Sequence, residues 1–165
     1  MSITDSAIPP GGHSGSIHNS NASMVSLNEL FKESLRKVQA GTDMNMVVRC
    51  QVLPVIRGRR EEMENLFDTL VRMIVHGAPY GSRRYLYVDC EEELRVSANS
   101  VNEDSKKYVI KFYTNTIIND GWKESHRLML DKCETIVSSY HGNFTMNNIR
   151  DSGCLFSITL PGKFE

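Results

Sequence analysis

The sequence lacks the features that mark several common classes of protein. No apolar run reaches the length of a transmembrane helix, and the N-terminus lacks the basic-then-apolar pattern of a secretion signal. The net charge at pH 7 is only −1, so electrostatics gives no reason to expect nucleic acid or an anionic membrane as the main partner. These absences predict a cytoplasmic protein that binds no nucleic acid and has no membrane span.

Cysteine is scarce and scattered. The four thiols include no Cys-x-x-Cys pair, and each lies in an apolar element: Cys50, Cys90, Cys133 and Cys154. This spacing favours buried, reduced thiols over a disulfide framework or a zinc site. No metal site is therefore predicted from the residues alone.

What is present suffices for one domain. The 165 residues can build one core but not two ordinary ones. Residues 1–24 are rich in Ser, Gly, Asn and Pro and offer almost nothing to bury, so they are predicted to be a disordered tail. A capping box at Ser26 and Glu29 predicts a first helix ending near Gly41. The folded domain is expected to span residues 25–165.

The chain is organised around a helix predicted at residues 58–76. Its apolar residues recur at steps of three, four, seven and eight, which is typical of an amphipathic helix: Met63, Leu66, Phe67, Leu70, Val71 and Ile74. The preceding residues 52–58 form an apolar run interrupted by Pro54 and closed by a glycine. This order predicts a strand, a tight turn and then the helix.

The remaining elements follow from the same patterns. Alternating or short apolar runs predict strands at residues 46–53, 84–90, 108–114, 143–146 and 152–162. The strand at 84–90 can continue through 94–98. A second apolar stripe predicts a helix at 125–140, whereas 119–125 is interpreted as a short loop and the acidic triplet 91–93 as a solvated bend. Antiparallel hairpins with helices that share one face predict a two-layer α+β domain.

Several of these segments resemble a known family. Residues 53–58 read Leu-Pro-Val-Ile-Arg-Gly, and 69–74 read Thr-Leu-Val-Arg-Met-Ile. They are similar to the Leu-Pro-x-Val-x-Gly-Asp strand and the N box, Asn-Leu-Leu-x-Asn-Ala, of histidine-kinase catalytic domains, which belong to the GHKL ATPase superfamily. The pairs His141-Gly142 and Leu160-Pro161 match the end of that domain. The resemblance covers about residues 26–162.

The resemblance implies a fold and a nucleotide site. The fold would be an α/β sandwich in which three helices pack on one face of a mixed sheet and the other face is partly open. The family positions that would bind ATP and magnesium are occupied here by Thr69, Met73, Thr114, Asn115 and Thr116.

The residue types at these positions do not suit that chemistry. A thioether at Met73 is a poor magnesium ligand, and the hydroxyl of Thr69 has no useful basicity. The Asp-x-Gly-x-Gly signature is replaced by residues 114–118, which include β-branched side chains where the family has glycine. The short segment 119–125 leaves no room for the family's flexible lid. The sequence thus predicts a degenerate ATPase domain with no cofactor and no catalytic residues.

Three hypotheses on function remain open from the sequence. The first is a non-catalytic domain that binds a protein partner in two-component-type signalling, through a surface around Tyr80, Ile117 and Trp122. The second is a divergent ATP-binding histidine kinase or ATPase, which would need ATP and magnesium. The third is a phosphotransfer protein with a relic ATPase domain, which would require a dimerising helical hairpin.

Overall fold

The computed structural model describes residues 22–41, 45–94 and 106–162. Most of the predicted tail, at residues 1–21, lies outside the described residues, as does the predicted continuation of a strand at 95–98. The elements, in chain order, are β1 (Ala22–Ser26), α1 (Leu27–Ala40), β2 (Met46–Cys50), β3 (Val55–Arg59), α2 (Arg60–Val75), β4 (Arg84–Leu94), β5 (Lys106–Thr114), α3 (Asp120–Ser125), α4 (Arg127–Ser139), β6 (Asn143–Ile149) and β7 (Gly153–Pro161).

The strands form a mixed sheet and a separate ribbon. The five-stranded sheet has the order β2-β4-β5-β7-β6, in which β2 is parallel to β4 and the other pairs are antiparallel. Strands β1 and β3 pair with each other in an antiparallel two-stranded sheet. The predicted α+β fold is therefore confirmed.

Three helices cover one face of the sheet. Helix α2 packs against both α1 and α4, and its buried stripe runs the length of the helix. The aromatic rings of Phe31, Phe67 and Phe112 contact one another at the centre, with ring centroids 5.9 to 6.3 Å apart. Because these rings come from α1, α2 and β5, they join both layers into one core.

The predicted capping signals are present. The side chain of Ser26 accepts a hydrogen bond from the Glu29 amide at 3.3 Å and so begins α1. At the end of α4, His141 adopts a left-handed φ of 59°. The next residue, Gly142, has no room for a side chain, because an added Cβ would lie 1.9 Å from the carbonyl oxygen of Thr159. The His-Gly pair therefore ends a helix and admits the close approach of β7.

Four predictions about local structure were wrong. Ala22–Ser26 is a strand, which includes the last three residues of the segment predicted to be a disordered tail. The residues 91–93 lie within β4 and pair with lysines of β5, which holds them in the ladder rather than in a bend: Glu91 with Lys111, Glu92 with Lys106, and Glu93 with Lys107. Residues 120–125 form helix α3, because Asn119 caps it by accepting from the Trp122 amide. The predicted helix from 125 therefore begins only at Arg127.

The cysteines are all free thiols. Cys133 and Cys154 are buried, and burial raises the pKa of each thiol to about 12. Cys50 is exposed, contrary to the expectation that all four would be buried, because it stands at the end of edge strand β2. Within the part of the chain that the structure describes, no helix is long and apolar enough to cross a membrane.

Candidate functional site

The predicted site residues lie where the end of α2 meets the end of β5. Met73 and Thr116 are 0% exposed, and Thr69 and Thr114 are almost as fully buried. Asn115 lies outside this group, because its side chain bonds the backbone of Tyr80, Arg83 and Tyr85 on the exposed side of the sheet. The structure therefore brings Thr114 and Thr116 together, but it separates Asn115 from them.

A buried arginine organises this junction. Arg84 Nη1 donates to the carbonyl oxygen of Ile74 at 2.8 Å and to Thr116 Oγ1 at 2.6 Å, and Nη2 donates to the carbonyl oxygen of Gly77 at 2.5 Å. Thr114 Oγ1 lies 2.9 Å from Thr116 Oγ1 and extends the network. Burial lowers the pKa of Arg84. The guanidinium thus ties the last turn of α2 to the segment that follows β5.

Sequence reasoning missed Arg84, although a signal was present. In a strand, alternate residues share a face, and Arg84 is in phase with the buried Leu86 and Val88. An arginine on the buried face at the end of a strand is itself buried, and its guanidinium then needs hydrogen-bond acceptors. The free carbonyl groups at the C-terminus of α2 supply them.

A second cluster lies beside this network and contains two histidines. His76 Nδ1 lies 3.1 Å from His126 Nε2, and His126 Nδ1 lies 2.7 Å from the carbonyl oxygen of Trp122. A carbonyl oxygen can only accept, so His126 carries its proton on Nδ1 and accepts from His76 through Nε2. The ring of Trp122 stacks on His126 at a centroid distance of 4.2 Å and donates from Nε1 to the carbonyl oxygen of His76 at 3.3 Å.

Of the three residues predicted to bind a partner, only one is well exposed. Tyr80 is 40% exposed, Ile117 is partly buried, and Trp122 is 6% exposed because it packs into the histidine cluster. Ile117 and Trp122 line a cavity of about 420 Å³ together with Gly77, Ala78, Asn119, Gly121, Ser125 and His126. Trp122 therefore shapes this corner and offers little surface to a partner.

A separate groove runs between α2 and α4. It has a volume of about 360 Å³ and is lined by Asn65, Asp68, Thr69, Arg72, Leu128, Met129 and Lys132. Asp68 is already engaged, since it accepts from Ser34 Oγ at 2.5 Å and from Lys37 Nζ at 3.3 Å. Of the predicted nucleotide positions, only Thr69 opens into this groove.

The fold is similar to solved catalytic domains of histidine kinases. A structure of the catalytic domain of histidine kinase ThkA matches with a TM-score of 0.61 at 15% identity, covering 86% of this chain and 96% of that one. The Acinetobacter baumannii histidine kinase AdeS matches with a TM-score of 0.60 at 11% identity, covering 86% of this chain and 68% of that one. The ATP-binding domain of PrrB from Mycobacterium tuberculosis matches with a TM-score of 0.57 at 15% identity, covering 86% and 98%.

This chain has the fold of a histidine-kinase catalytic domain. No family model and no curated protein matches its sequence. The sequence resemblance would place the N box on α2 and the Asp-x-Gly-x-Gly position at the end of β5. The expected sandwich, with three helices on one face of a mixed sheet, is confirmed.

Proposed function

We propose that the chain is a non-catalytic domain with the histidine-kinase fold, which acts by binding a protein partner in two-component-type signalling. The observation that carries this proposal is that the protein's own side chains fill the nucleotide positions. Arg84 and Thr116 bond each other and the end of α2 where the resemblance expects bare backbone. A cytoplasmic location is part of the proposal, and the four free thiols suit a reducing compartment.

The position of the magnesium ligand supports the same conclusion. Magnesium requires hard oxygen ligands in octahedral geometry, whereas Met73 offers a thioether that is fully buried in the core. Within the described residues, no three His, Cys, Asp or Glu side chains come together as a metal site would require. We therefore propose that no nucleotide cofactor is used.

The position of the catalytic base gives a third argument. Thr69 stands where ATP-hydrolysing relatives of the family hold a glutamate, and a hydroxyl cannot accept a proton from water near neutral pH. The nearby Asp68 accepts hydrogen bonds from Ser34 and Lys37, which occupy its oxygens. No catalytic residue is therefore assigned.

One observation favours the second hypothesis, a divergent ATP-binding domain. The groove between α2 and α4 is open and contains Thr69 beside two cations, Arg72 and Lys132, neither of which forms an ion pair in the described part of the chain. Two such cations attract phosphate groups. ATP bound in this groove would leave the hydrogen bonds of Arg84 intact.

Titration calorimetry with ATP and ADP, with and without magnesium, tests the proposal on the full chain. We expect no binding heat and no shift of the melting temperature at millimolar nucleotide. A catalytic domain of an active histidine kinase serves as the positive control. Magnesium-dependent binding would overturn the proposal, provided that Thr69→Ala weakens it and the matched exposed variant Thr145→Ala does not.

A further inference from the structure

The exposed face of the sheet carries a cluster of tyrosines outside the hydrophobic core. Tyr85 and Tyr87 point away from the helices and are 42% and 44% exposed. Tyr113 of β5 stands directly opposite Tyr87 in the ladder, so the three rings adjoin one another. Ile149, at the end of β6, is also exposed. A contiguous exposed aromatic and aliphatic patch is typical of a contact surface.

These residues form a shallow groove. We name it the tyrosine groove and define it by its lining residues: Tyr85, Tyr87, Tyr113, Thr114, Asn115, Ile149 and Ser152. Its volume of about 340 Å³ has room for two or three side chains. It lies on the face opposite the helices and is separate from the groove between α2 and α4, and it adjoins the Arg84 network only through Thr114.

Hydrogen bonds and close packing hold the groove in shape. The side chain of Asn115 accepts from the Tyr85 amide at 2.8 Å and donates to the carbonyl oxygens of Tyr80 and Arg83, each at 2.8 Å. At the other end, Gly153 has a φ of 140°, and an added Cβ would lie 1.9 Å from the carbonyl oxygen of Thr114. The groove is therefore pre-formed, which reduces the entropy lost when a ligand binds.

The charge around the groove is positive. The guanidinium of Arg49 lies 5.9 Å from the ring centroid of Tyr87, and the exposed Arg83 and Arg150 are within two residues of groove residues in sequence. None of these three arginines forms an ion pair within residues 22–41, 45–94 and 106–162. In contrast, the lysines farther along the same sheet, at 106, 107 and 111, are all paired with glutamates.

The nearby carboxylates do not cancel this charge. Asp151 lies next to Arg150 in the turn between β6 and β7, and Asp89 lies two residues beyond Tyr87 on β4, opposite Lys111. Lys111 is already paired with Glu91, so three arginines stand against two aspartates around the groove and the balance stays positive. Unpaired guanidinium groups beside phenol hydroxyls bind carboxylates well, since both are donors and the guanidinium is charged.

We infer that the tyrosine groove binds an acidic peptide segment of the partner protein. The apolar side chains of that segment would lie on the tyrosine rings, and its carboxylates would pair with Arg49, Arg83 and Arg150. This inference rests on the proposed function, because it identifies the chemistry of the partner. It also places the contact on the open sheet face, whereas the sequence predicted it near Trp122.

Fluorescence anisotropy tests the inference on the full chain. The probe is a fluorescein-labelled peptide, Glu-Glu-Phe-Glu-Leu-Glu-Glu, and its control has lysine in place of every glutamate. We expect the acidic peptide to bind about tenfold more tightly than the lysine peptide, with affinity that falls as salt is added. A peptide with alanine in place of Phe and Leu should bind more weakly than the acidic probe.

Two pairs of variants locate the binding site. Tyr87→Ser should weaken binding about tenfold because it removes a central aromatic contact, whereas Leu128→Ser removes an exposed apolar residue on α4 and should change nothing. Arg49→Glu should weaken binding while it keeps every tyrosine, and its matched control is Arg57→Glu on strand β3. Melting curves verify that each variant is folded.

The outcomes separate this inference from the proposed function. Equal binding of both peptides, or full binding by both Tyr87→Ser and Arg49→Glu, would overturn the inference. So would a concentration-dependent dimer that Tyr87→Ser converts to a monomer, because the groove would then bind a second copy of this chain. If neither peptide nor nucleotide binds, the inference fails and the non-catalytic proposal stands. If magnesium-dependent nucleotide binding is found and Thr69→Ala weakens it, the proposal fails whatever the peptides do.

Discussion

At the scale of single residues, Arg84 is the side chain on which the junction of α2 with the segment after β5 depends. It is a buried cation that is held by neutral oxygen atoms of the backbone and of one threonine. One of its acceptors, Ile74, is in the last turn of α2 and another, Gly77, lies two residues after the helix, where the helix dipole favours a positive charge. A buried charge with this many acceptors is stable, but removing the donor leaves the carbonyl groups without partners.

Replacing Arg84 should therefore destabilise the protein strongly. Arg84→Met keeps part of the volume but leaves the carbonyl oxygen of Gly77 without its donor, and we expect a loss of about 2 to 4 kcal/mol in the free energy of unfolding. Chemical denaturation measures this loss. The adjacent, exposed Arg83→Met is the control and should change stability by less than about 0.5 kcal/mol. Equal effects of the two variants would show that the network does not stabilise the fold.

Gly58 is a second residue whose identity is dictated by a close contact. A Cβ at this position would lie 2.9 Å from Cε2 and 3.0 Å from the hydroxyl of Tyr140, a fully buried ring. That hydroxyl also accepts a hydrogen bond from the Arg59 amide at 2.8 Å, so the ring cannot move away without losing it.

We expect Gly58→Ala to lower the free energy of unfolding by about 1 to 3 kcal/mol, because it overpacks this contact. Gly121→Ala is the matched control: it lies in α3, meets nothing closer than 3.4 Å, and should be neutral or slightly stabilising. Thermal melts of the two variants provide the comparison. If Gly58→Ala melts at the same temperature as Gly121→Ala, the contact with Tyr140 is not tight in solution.

At the scale of secondary-structure elements, the two histidines join the end of α2 to the junction of α3 and α4. His76 is the residue that follows α2, and His126 separates the other two helices. Burial lowers the pKa of His76, and the nearby His126, Arg72 and Arg84 lower it further by repulsion. The neutral form of His76 is therefore favoured, and its ring shares one hydrogen bond with His126.

This arrangement predicts a stability that depends on pH. Because the pKa of His76 in the folded state lies below its ordinary value of 6.5, the unfolded chain binds a proton first as the pH falls. The melting temperature should therefore decrease as the pH is lowered from above 6.5 to the pKa of His76 in the folded state. Below that pKa, protonation of His76 should lower the melting temperature no further. His76→Asn should flatten this dependence.

The control for that measurement is His141→Asn. It removes a histidine outside the pair and keeps a residue that tolerates the φ of 59° at that position. If the melting temperature of His76→Asn depends on pH as in the original protein, the histidine pair does not control that dependence. If His141→Asn flattens the dependence, it arises outside the pair.

The helices and most strands were predictable because they carry periodic patterns. The buried residues of helix α2 include the whole predicted stripe from Met63 to Ile74, and the predicted range 58–76 contains the helix entirely. Strand β1 was missed because its burial does not alternate and its sequence, Ala-Ser-Met-Val-Ser, contains few residues that favour strands. Helix α3 was missed because six residues are too few for a periodic stripe, and only the cap at Asn119 signals it.

The site was less predictable than the fold. The resemblance predicted a site from Thr69, Met73, Thr114, Asn115 and Thr116, but the contacts of Thr116 depend on Arg84, which comes from another strand. The same limit explains Trp122, whose burial follows from stacking on His126. Contacts between distant segments leave no periodic pattern in the sequence, so they become visible only in the folded chain.

At the scale of the whole molecule, all the layers share one core. The rings at its centre come from two helices and one strand, and Trp122 approaches the same core through Phe156 of β7 at a centroid distance of 6.3 Å. We therefore expect the protein to unfold in a single cooperative transition.

The protein contains one tryptophan, so its fluorescence reports on the α3 corner alone, whereas circular dichroism reports on every helix. Denaturation curves from the two signals should coincide within error. If the tryptophan signal changes at a lower denaturant concentration, then the corner that contains α3 and the histidine pair unfolds on its own. Tyr80→Ala, an exposed substitution near this corner, should leave both curves superimposed and serves as a control.

Strand β7 is formed by residues 153–161 and lies between β5 and β6, although it follows both in the chain. A ribosome that has made everything up to β6 has therefore produced two parts of a sheet with no strand to connect them. The hydrogen-bonding edges of β5 and β6 stay unpaired until Pro161 has left the exit tunnel. During synthesis the nascent domain is thus exposed to chaperones and to edge-to-edge association, and folding can finish only after that point.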